Sequence, residues 1–259
     1  MPRVTQLLIA LSLTLVLCSP SRAEQRPQTF EKQITIKLDY LLHLPDDYGK
    51  DPAKKHPVML FLHGAGERGT DVKRVQIHGP PKLLAAGTDL PVKQFIVISP
   101  QCPPEQWWQP HELIALLDDV LEKHPNHDLA RVYLTGLSMG GYGTWDMAAR
   151  YPNRFAAIAP ICGGGDARRA ARALRNMPTW VFHGEKDPVV PISQSETMVD
   201  ALKKAGNDVK FTRYPNADHD SWTQTYNNPE LYTWLLQHTR REPARTEGRR
   251  APAATSAAR

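Results

Sequence analysis

The sequence predicts an α/β fold in which a mostly parallel sheet carries helices on both faces. One reason is the order of patterns, because short apolar runs alternate along the chain with longer helix-like segments. The other reason is that several of these runs are continuously apolar. Residues 58–62 read Val-Met-Leu-Phe-Leu, a pattern that is typical of a strand covered on both faces.

The elements can be assigned in chain order. We expect eight strands, at residues 33–38, 41–44, 58–62, 95–99, 132–134, 155–161, 180–182 and 209–214. Helices are expected at residues 113–123, 142–150, 167–174, 193–204 and 230–238. The connection after the sixth strand has room for about one helix, so no large lid domain is expected. Ligands of such a sheet bind at the carboxyl ends of its strands.

The first residues have the pattern of a secretory signal peptide. An apolar run of eleven residues, 7–17, follows Arg3 and precedes Ser21-Arg22-Ala23, a small-x-small cleavage site. The run is too short to span a bilayer comfortably. An uncleaved anchor stays open as an alternative, and the bulky Leu17 before Cys18 argues against a lipoprotein. We therefore assign residues 1–23 to a signal peptide and expect a secreted or periplasmic protein without stable membrane insertion.

Charge separates the remaining chain into a folded domain, 24–239, and a disordered basic tail, 240–259. The whole chain carries +5, of which the signal segment holds +2 and the tail +4, so residues 24–239 retain −1. The tail is rich in Arg, Ala and Pro and has little to bury. Since the folded domain has no excess of positive charge, we expect no nucleic-acid partner.

Ser138 is the candidate nucleophile. It is the centre of Gly136-Leu137-Ser138-Met139-Gly140, with a strand-like run before this segment and a helix-like run after it. The two glycines remove side chains where the backbone turns sharply, which exposes the serine hydroxyl above the sheet edge. A Gly-x-Ser-x-Gly motif alone is a weak signal, because it also occurs by chance. The strand before it and the helix after it are what make it informative here.

Asp187 and His219 are the candidate partners of Ser138, because each follows one of the last two strands and the chain order suits this architecture. Glu185 is a competing carboxylate, and Asp187 is preferred because Pro188 fixes the backbone after it. His63 and His183 also lie at strand ends and are the competing bases.

A metal site made of histidines is a further alternative. His63, His183 and His219 could converge from three strand ends, but no spacing typical of metal ligands supports it. We therefore expect neither a metal nor a cofactor.

The loop after residues 58–62 is a candidate anion site. It reads His63-Gly64-Ala65-Gly66-Glu67-Arg68-Gly69, and its glycines let backbone N–H groups face a ligand. We expect the N–H groups of Ala65 and Met139 to form an oxyanion hole. Gly66 and Glu67 are expected to contact substrate.

Three tryptophans are candidates for substrate binding. Trp107 and Trp108 follow the strand at 95–99, and Trp222 follows His219. Stacking on a sugar or a phenolic group is the functional interpretation, and ordinary packing is the alternative. The two cysteines after the signal, Cys102 and Cys162, are either a disulfide or two buried thiols.

These motifs resemble the alpha/beta-hydrolase superfamily over residues 33–239. The resemblance extends to secreted bacterial enzymes described as dienelactone-hydrolase-like or prolyl-oligopeptidase-like, close to phospholipase/carboxylesterases and feruloyl esterases. It is carried by the segments 63–69, 100–103, 136–141 and 160–165. The chain departs from dienelactone hydrolases in having Ser138 where they have cysteine. It is also expected to depart from prolyl oligopeptidases, because we expect no propeller domain before the hydrolase domain.

The resemblance implies a serine hydrolase with Ser138, Asp187 and His219 as its triad. The leading hypothesis is a serine carboxylesterase that cleaves short acyl, aromatic or carbohydrate-linked esters, either as small molecules or on a polymer. A secreted serine peptidase acting on small peptides is the alternative. A non-catalytic binding domain is a third and weaker alternative, because a binding domain has little use for a complete triad.

Overall fold

The computed structural model describes residues 25–240. The expected signal peptide and the expected tail beyond Arg240 lie outside the described residues. Residues 25–35 belong to a first unit, Met1–Thr35, and contain no helix or strand. The second unit starts at Ile36 and contains all the helices and strands described below.

The second unit is built on a seven-stranded sheet in the order β1-β3-β2-β4-β5-β6-β7. Its strands are β1 (Tyr40–His43), β2 (His56–Leu62), β3 (Ile96–Pro100), β4 (His127–Leu137), β5 (Ala157–Ile161), β6 (Thr179–Gly184) and β7 (Val209–Tyr214). Only β1 is antiparallel to its neighbour, β3. The predicted α/β class and the mostly parallel sheet are therefore confirmed.

Helices cover both faces of the sheet. They are α1 (Gly79–Ala85), α2 (Pro110–Lys123), α3 (Met139–Arg150), α4 (Ala167–Ala173), α5 (Ser193–Lys204), α6 (Trp222–Asn227) and α7 (Pro229–Leu236). Side chains of α2 to α5 belong to one hydrophobic cluster, and those of α6 and α7 to another. The connection from β5 to β6 holds only α4 and its loops, so this part of the described chain has no large lid.

β2 explains why a continuous apolar run marks a buried strand. Val58, Leu60 and Leu62 point into the first cluster, whereas Met59 and Phe61 point into the second. All five are fully buried. Because successive side chains of a strand alternate between its faces, both faces of this central strand must be apolar. β2 is thereby held in the middle of the sheet, and the loop that follows it lies at the sheet's carboxyl edge.

The prediction of eight strands is wrong in one element. Residues 33–38 are not a strand, although Ile34, Ile36 and Leu38 alternate with polar residues. No described strand pairs with this segment, and Ile36 is 39% exposed. Alternation shows that one face of a segment is apolar, but a strand also needs a neighbour for its backbone groups. β1, at residues 40–43, pairs with the side of β3 that β2 does not occupy.

Cys102 and Cys162 are free thiols, so the disulfide alternative is wrong. Cys102 follows β3 and Cys162 follows β5, and β2 and β4 lie between these strands. Three strand spacings separate the two positions by roughly 14 Å, beyond the reach of a disulfide. Burial raises the pKa of Cys102 to about 11 and that of Cys162 to about 12.

His63 braces the loop that follows β2. Its Nε2 accepts the backbone N–H of Cys102 at 2.9 Å, and its Nδ1–H donates to the carbonyl of Gly64 at 2.6 Å. Its own carbonyl accepts the indole N–H of Trp108 at 3.2 Å. These bonds tie the loop after β2 to the loop after β3. Burial lowers the pKa of His63 to about 4, so the ring is neutral at neutral pH.

We predict that His63 makes the fold sensitive to mild acid. In the unfolded chain the ring binds a proton near pH 6.5, whereas in the folded chain it does so only near pH 4. The free energy of unfolding should therefore fall as the pH drops through this window, by up to about 3 kcal/mol. Urea titrations at pH 7, 5.5 and 4.5 measure this fall. His63→Gln should show a smaller one, and the exposed His111→Gln should match the wild type. If the free energy of unfolding fell equally with pH in all three proteins, His63 would not be the group responsible.

Candidate active site

The turn between β4 and α3 holds Ser138 in a strained backbone conformation. Ser138 has φ +52° and ψ −116°, a region that residues with a Cβ rarely enter. Its N–H donates to the carbonyl of Ile161 at 3.0 Å, and its carbonyl accepts the N–H of Tyr142 at 3.1 Å. The bonds on both sides of the residue hold the strained turn in place.

Two glycines allow this turn to form by letting backbones approach closely. A Cβ on Gly136 would lie 2.4 Å from the carbonyl oxygen of Gly140. A Cβ on Gly140 would lie 1.9 Å from the carbonyl oxygen of Leu62, at the end of β2. No side chain fits at either distance, so the two positions of the motif require glycine for steric reasons.

The structure brings Ser138, His219 and Asp187 into one hydrogen-bonded line. Nε2 of His219 lies 3.0 Å from Oγ of Ser138, and Nδ1 of His219 lies 2.7 Å from Oδ2 of Asp187. An ionised carboxylate only accepts hydrogen bonds. The proton of a neutral His219 is therefore on Nδ1, and Nε2 is free to accept the proton of the serine hydroxyl.

Asp187 is buried, and both of its carboxylate oxygens accept hydrogen bonds. Its side chain is 0% exposed, and its Oδ1 accepts the N–H groups of Val189 and Val190, both at 2.8 Å. Burial acts to raise the pKa of Asp187, but the bonds from His219 and the two backbone N–H groups together outweigh it. The pKa therefore lies below its ordinary value, and the carboxylate is ionised at neutral pH.

The competing residues have other surroundings. Glu185 is exposed, and its backbone N–H bonds to the carbonyl of Tyr214. His63 is occupied by Gly64 and Cys102, as described above. His183 is fully buried and bonds to Ser195 and to the carbonyl of Val190. His183 and His219 both approach Asp187, whereas His63 bonds elsewhere, so the three histidines do not form one group of metal-ligand atoms among the described residues.

The described residues do include one group of possible metal-ligand atoms. It consists of the thiol of Cys162 with Asp187 and His219, whose atoms lie within 4.8 Å of one another. Two of the three are already hydrogen-bonded to each other, and the pKa of Cys162, raised to about 12 by burial, keeps the thiol protonated.

The loop after β2 faces Ser138. A Cβ on Gly64 would lie 3.6 Å from Cβ of Ser138 and 3.3 Å from Oε2 of Glu67. Ala65 begins a short 3-10 helix, Ala65–Glu67, and Met139 begins α3. The N–H group of a first helical residue has no carbonyl one turn earlier to bind. Both N–H groups are therefore on segments that border the serine.

The expected substrate-binding residues differ in their exposure. Trp107 is 58% exposed, and its ring meets Tyr142 edge-on at 6.1 Å. Gly66 is exposed, with open space where a Cβ would be. Trp108 is only 7% exposed and packs against His63 at 4.8 Å, so its expected contact with substrate is not supported.

Trp222 contacts both His219 and His78, and His78 in turn lies beside the buried Glu67. Glu67 is 5% exposed, and its Oε1 lies 3.7 Å from Nε2 of His78. The Trp222 ring contacts His219 at 5.1 Å and His78 at 5.3 Å, both edge-on. Trp222 therefore restricts how the His219 ring can turn.

Sequence reasoning missed His78, Tyr142 and Ser195. His78 comes directly before α1, a helix with two prolines that was not predicted. Tyr142 is four residues after Ser138, one turn into α3, so helical spacing could have placed it beside the serine. Nothing local in the sequence marks Ser195, because its partner His183 is on another element.

A cavity of about 560 Å³ lies elsewhere, at the starts of β6 and β7, where it is lined by Thr179, Trp234 and His238 among others. None of the candidate residues lines it. Ser138 lies at the opposite, carboxyl edge of the sheet. No helix among residues 25–240 has both the length and the apolar character needed to cross a bilayer.

Comparisons with known proteins agree with this architecture. A model of the dienelactone hydrolase family matches residues 111–233. A thermostable esterase of known structure is 35% identical, with a TM-score of 0.65, over 78% of this chain and 60% of that one.

Two curated relatives are similar over shorter stretches. A bifunctional acetylxylan esterase/xylanase, XynS20E of Neocallimastix patriciarum, is 33% identical over 126 residues, which are 47% of this chain and 17% of that protein. An uncharacterized peptidase, YuxL of Bacillus subtilis (strain 168), is 46% identical over 142 residues, 42% of this chain and 22% of that protein. The chain thus spans less than a quarter of the length of these two relatives. Its sheet, its strained serine turn and these similarities together show that the chain has the alpha/beta-hydrolase fold, and its residues 111–233 are similar to the dienelactone hydrolase family.

Proposed function

We propose that this protein is a serine hydrolase that cleaves carboxylic esters. The observation that carries the proposal is the line of hydrogen bonds from Ser138 through His219 to Asp187, which ends on a serine held at φ +52°. A hydroxyl bonded to a neutral imidazole, which is bonded in turn to a buried carboxylate, is the arrangement that activates serine as a nucleophile.

In the first half of the reaction, Oγ of Ser138 attacks the ester carbonyl while Nε2 of His219 takes the serine proton. Asp187 accepts the Nδ1–H bond throughout and stabilises the imidazolium that forms. The negative charge that develops on the carbonyl oxygen is held by the N–H groups of Ala65 and Met139, which border Ser138. His219 then gives its proton to the departing alcohol, and the acyl group stays on Ser138.

In the second half, water enters beside His219 and loses a proton to Nε2 as it attacks the acyl carbonyl. The same N–H groups hold the second oxyanion. When this intermediate collapses, the bond to Oγ breaks, the serine takes the proton back from His219, and the carboxylic acid leaves. The cycle uses water as its only co-substrate.

An open rim supports substrates that are bulky or attached to a polymer. Only α4 and its loops connect β5 to β6, and Trp107 presents a half-exposed ring near the first turn of α3. An aromatic ring of this kind stacks on phenolic or sugar groups. The similarity to an acetylxylan esterase and to a thermostable esterase supports ester cleavage. Gly66 and Glu67 complete the side of the site formed by the loop after β2.

A serine peptidase acting on small peptides is the second candidate, and the similarity to YuxL favours it. The same triad would serve both reactions, but an amide has a poorer leaving group that must be protonated as the bond breaks. Comparison of ester and amide substrates therefore separates the two candidates.

We also propose that residues 1–23 are a cleaved signal peptide, so that the catalytic domain, 24–239, acts in the periplasm or outside the cell. The support is the apolar run after Arg3 and the small residues before Glu24. The tail, 240–259, is proposed to be disordered because its composition offers almost nothing to bury.

We predict that Ser138→Ala lowers kcat on p-nitrophenyl acetate by at least about 1,000-fold, since both halves of the reaction pass through Oγ. The measurement is the initial rate of hydrolysis by the protein comprising residues 24–239. Ser193→Ala, which changes an exposed serine, is the control. A peptide p-nitroanilide is assayed in parallel, and we expect no comparable turnover. Equal turnover of the anilide would favour the peptidase. Turnover that survives in Ser138→Ala, or a failure of the wild type to be labelled at Ser138 by a fluorophosphonate, would disprove a serine hydrolase.

We predict that Trp107→Ala raises KM for the ethyl ester of a phenolic acid by about 2- to 10-fold, because the stacked ring is lost. KM for ethyl butyrate should stay unchanged, since a short aliphatic chain gains little from stacking. Steady-state kinetics on both esters measure the difference. Leu129→Ala removes another exposed apolar side chain, at the far end of β4, and serves as the control. An unchanged ratio of the two KM values would show that Trp107 does not bind substrate.

We predict that the mature protein begins at Glu24. Expression of the full chain in a bacterial host, followed by N-terminal sequencing of the protein in the periplasmic and medium fractions, tests this. Ala23→Leu should slow processing, because the cleavage site requires a small residue at that position. A full-length chain that stays with the membrane fraction would instead identify an anchor.

A further inference from the structure

His183 is the second histidine that contacts Asp187, and the reaction described above does not use it. It is the fifth residue of β6, four residues before Asp187, and it is fully buried. Its Nε2 lies 3.3 Å from Oδ2 of Asp187, the oxygen that also accepts the Nδ1–H of His219. One carboxylate oxygen thus has two imidazoles beside it.

The hydrogen bonds around His183 define its tautomer. Burial lowers the pKa of His183, so the ring is neutral and carries one proton. Nε2 lies 2.8 Å from the carbonyl oxygen of Val190, which only accepts hydrogen bonds. The proton is therefore on Nε2. Nδ1 must then be an acceptor, and the hydroxyl of Ser195 shares its single proton between Nδ1, at 2.7 Å, and the carbonyl oxygen of Gly163, at 3.0 Å.

This tautomer links three segments that form the site. Nε2–H of His183 holds the carbonyl of Val190, while the N–H of Val190 donates to Oδ1 of Asp187 at 2.8 Å. Ser195, in the first turn of α5, also lies 3.0 Å from the carbonyl of Gly163, in the loop after β5. The turn from Asp187 to Val190 is therefore hydrogen-bonded, through the carbonyl of Val190, to the buried strand β6.

We propose that His183 is a positioning residue for Asp187. It fixes the turn that supplies the donors to Oδ1, and its Nε2 lies 3.3 Å from the oxygen that holds His219. This inference rests on the proposed function, because it assigns His183 a role in the reaction of Ser138. His183 itself touches neither the serine nor His219 through any hydrogen bond in the described chain.

His183 influences how strongly Asp187 holds a protonated His219. The Nε2–H of His183 places positive partial charge near Oδ2, which weakens the hold of that oxygen on a protonated His219. Without this N–H, Asp187 should stabilise the imidazolium more strongly, and the pKa of His219 should rise. Because the carbonyl of Val190 is then no longer held by His183, Asp187 should also position His219 less well, so that kcat falls.

Two substitutions separate positioning from packing. His183→Leu fills much of the same space without an N–H group, whereas His183→Gln retains an N–H at the end of its side chain. His238→Gln is the matched control, because His238 lies at the other edge of the sheet and lines the cavity described above. The other titratable groups near His219 are Asp218, Asp220 and the thiol of Cys162, and all variants share them.

The test is a pH profile of kcat and kcat/KM for the four proteins, with an NMR titration of the His219 ring. We expect His183→Leu to lose roughly 10- to 100-fold in kcat, the effect of weakening the hydrogen bond that the N–H of Val190 makes to the charged Asp187. KM should change little, and both the acid limb and the His219 titration should move to higher pH. His183→Gln should recover most of the activity and the wild-type profile, and His238→Gln should match the wild type.

The outcomes distinguish failure of this proposal from failure of the proposed function. If the wild type shows no turnover that depends on Ser138, the proposed function fails, and the NMR titration still reports whether His183 sets the pKa of His219. An unchanged His219 titration in His183→Leu would overturn the positioning role. If kcat fell equally in His183→Leu and His183→Gln, and both variants were less stable to heat, His183 would contribute only to packing.

Discussion

The site depends on the close approach of backbones where β4 turns into α3. Gly136 and Gly140 have no Cβ, so the turn lies against the carbonyl of Leu62 at the end of β2 at a distance that no other residue permits. This packing forces Ser138 into φ +52°, and the hydrogen bonds to Ile161 and Tyr142 maintain it. The conformational energy stored in one residue is offset by the neighbouring strands, which are fully buried. A less rigid sheet would allow the serine to relax out of reach of His219.

The remaining polar groups of the site are arranged around that fixed point on loops with different degrees of burial. Asp187 is inaccessible and accepts two backbone N–H groups, His219 is partly exposed, and Trp107 faces solvent. Burial therefore decreases from the carboxylate, which must stay ionised and immobile, to the rim, which has to admit a substrate. Desolvation alone would favour a neutral Asp187, and the hydrogen bonds around it reverse that tendency.

Sequence patterns predicted the sheet well where burial is two-sided and less well where structure depends on distant partners. The apolar run in β2 was sufficient to place a central strand, and helical spacing gave α5 its bounds, Ser193–Lys204. Residues 33–38 have an equally good strand pattern, but pairing depends on a neighbour that a local pattern does not reveal. Trp107 and Trp108 are adjacent in sequence, yet one is 58% and the other 7% exposed. The neutral, bonded state of His183 likewise depends on Ser195 and Val190, whose proximity only the folded chain creates.

The loop between β3 and α2 is anchored at both ends to one residue. The N–H of Cys102 bonds to the ring of His63, and the indole of Trp108 bonds to the carbonyl of His63. Between these anchors, residues 104–107 are exposed. Side-chain substitutions in this stretch keep the hydrogen bond from the Arg68 side chain to the backbone carbonyl of Gln106, so they can accumulate without displacing the loop after β2 or Ser138. Under the proposed function, this stretch is a recognition segment that natural variation can replace, so that related chains diverge in substrate while their chemistry is retained.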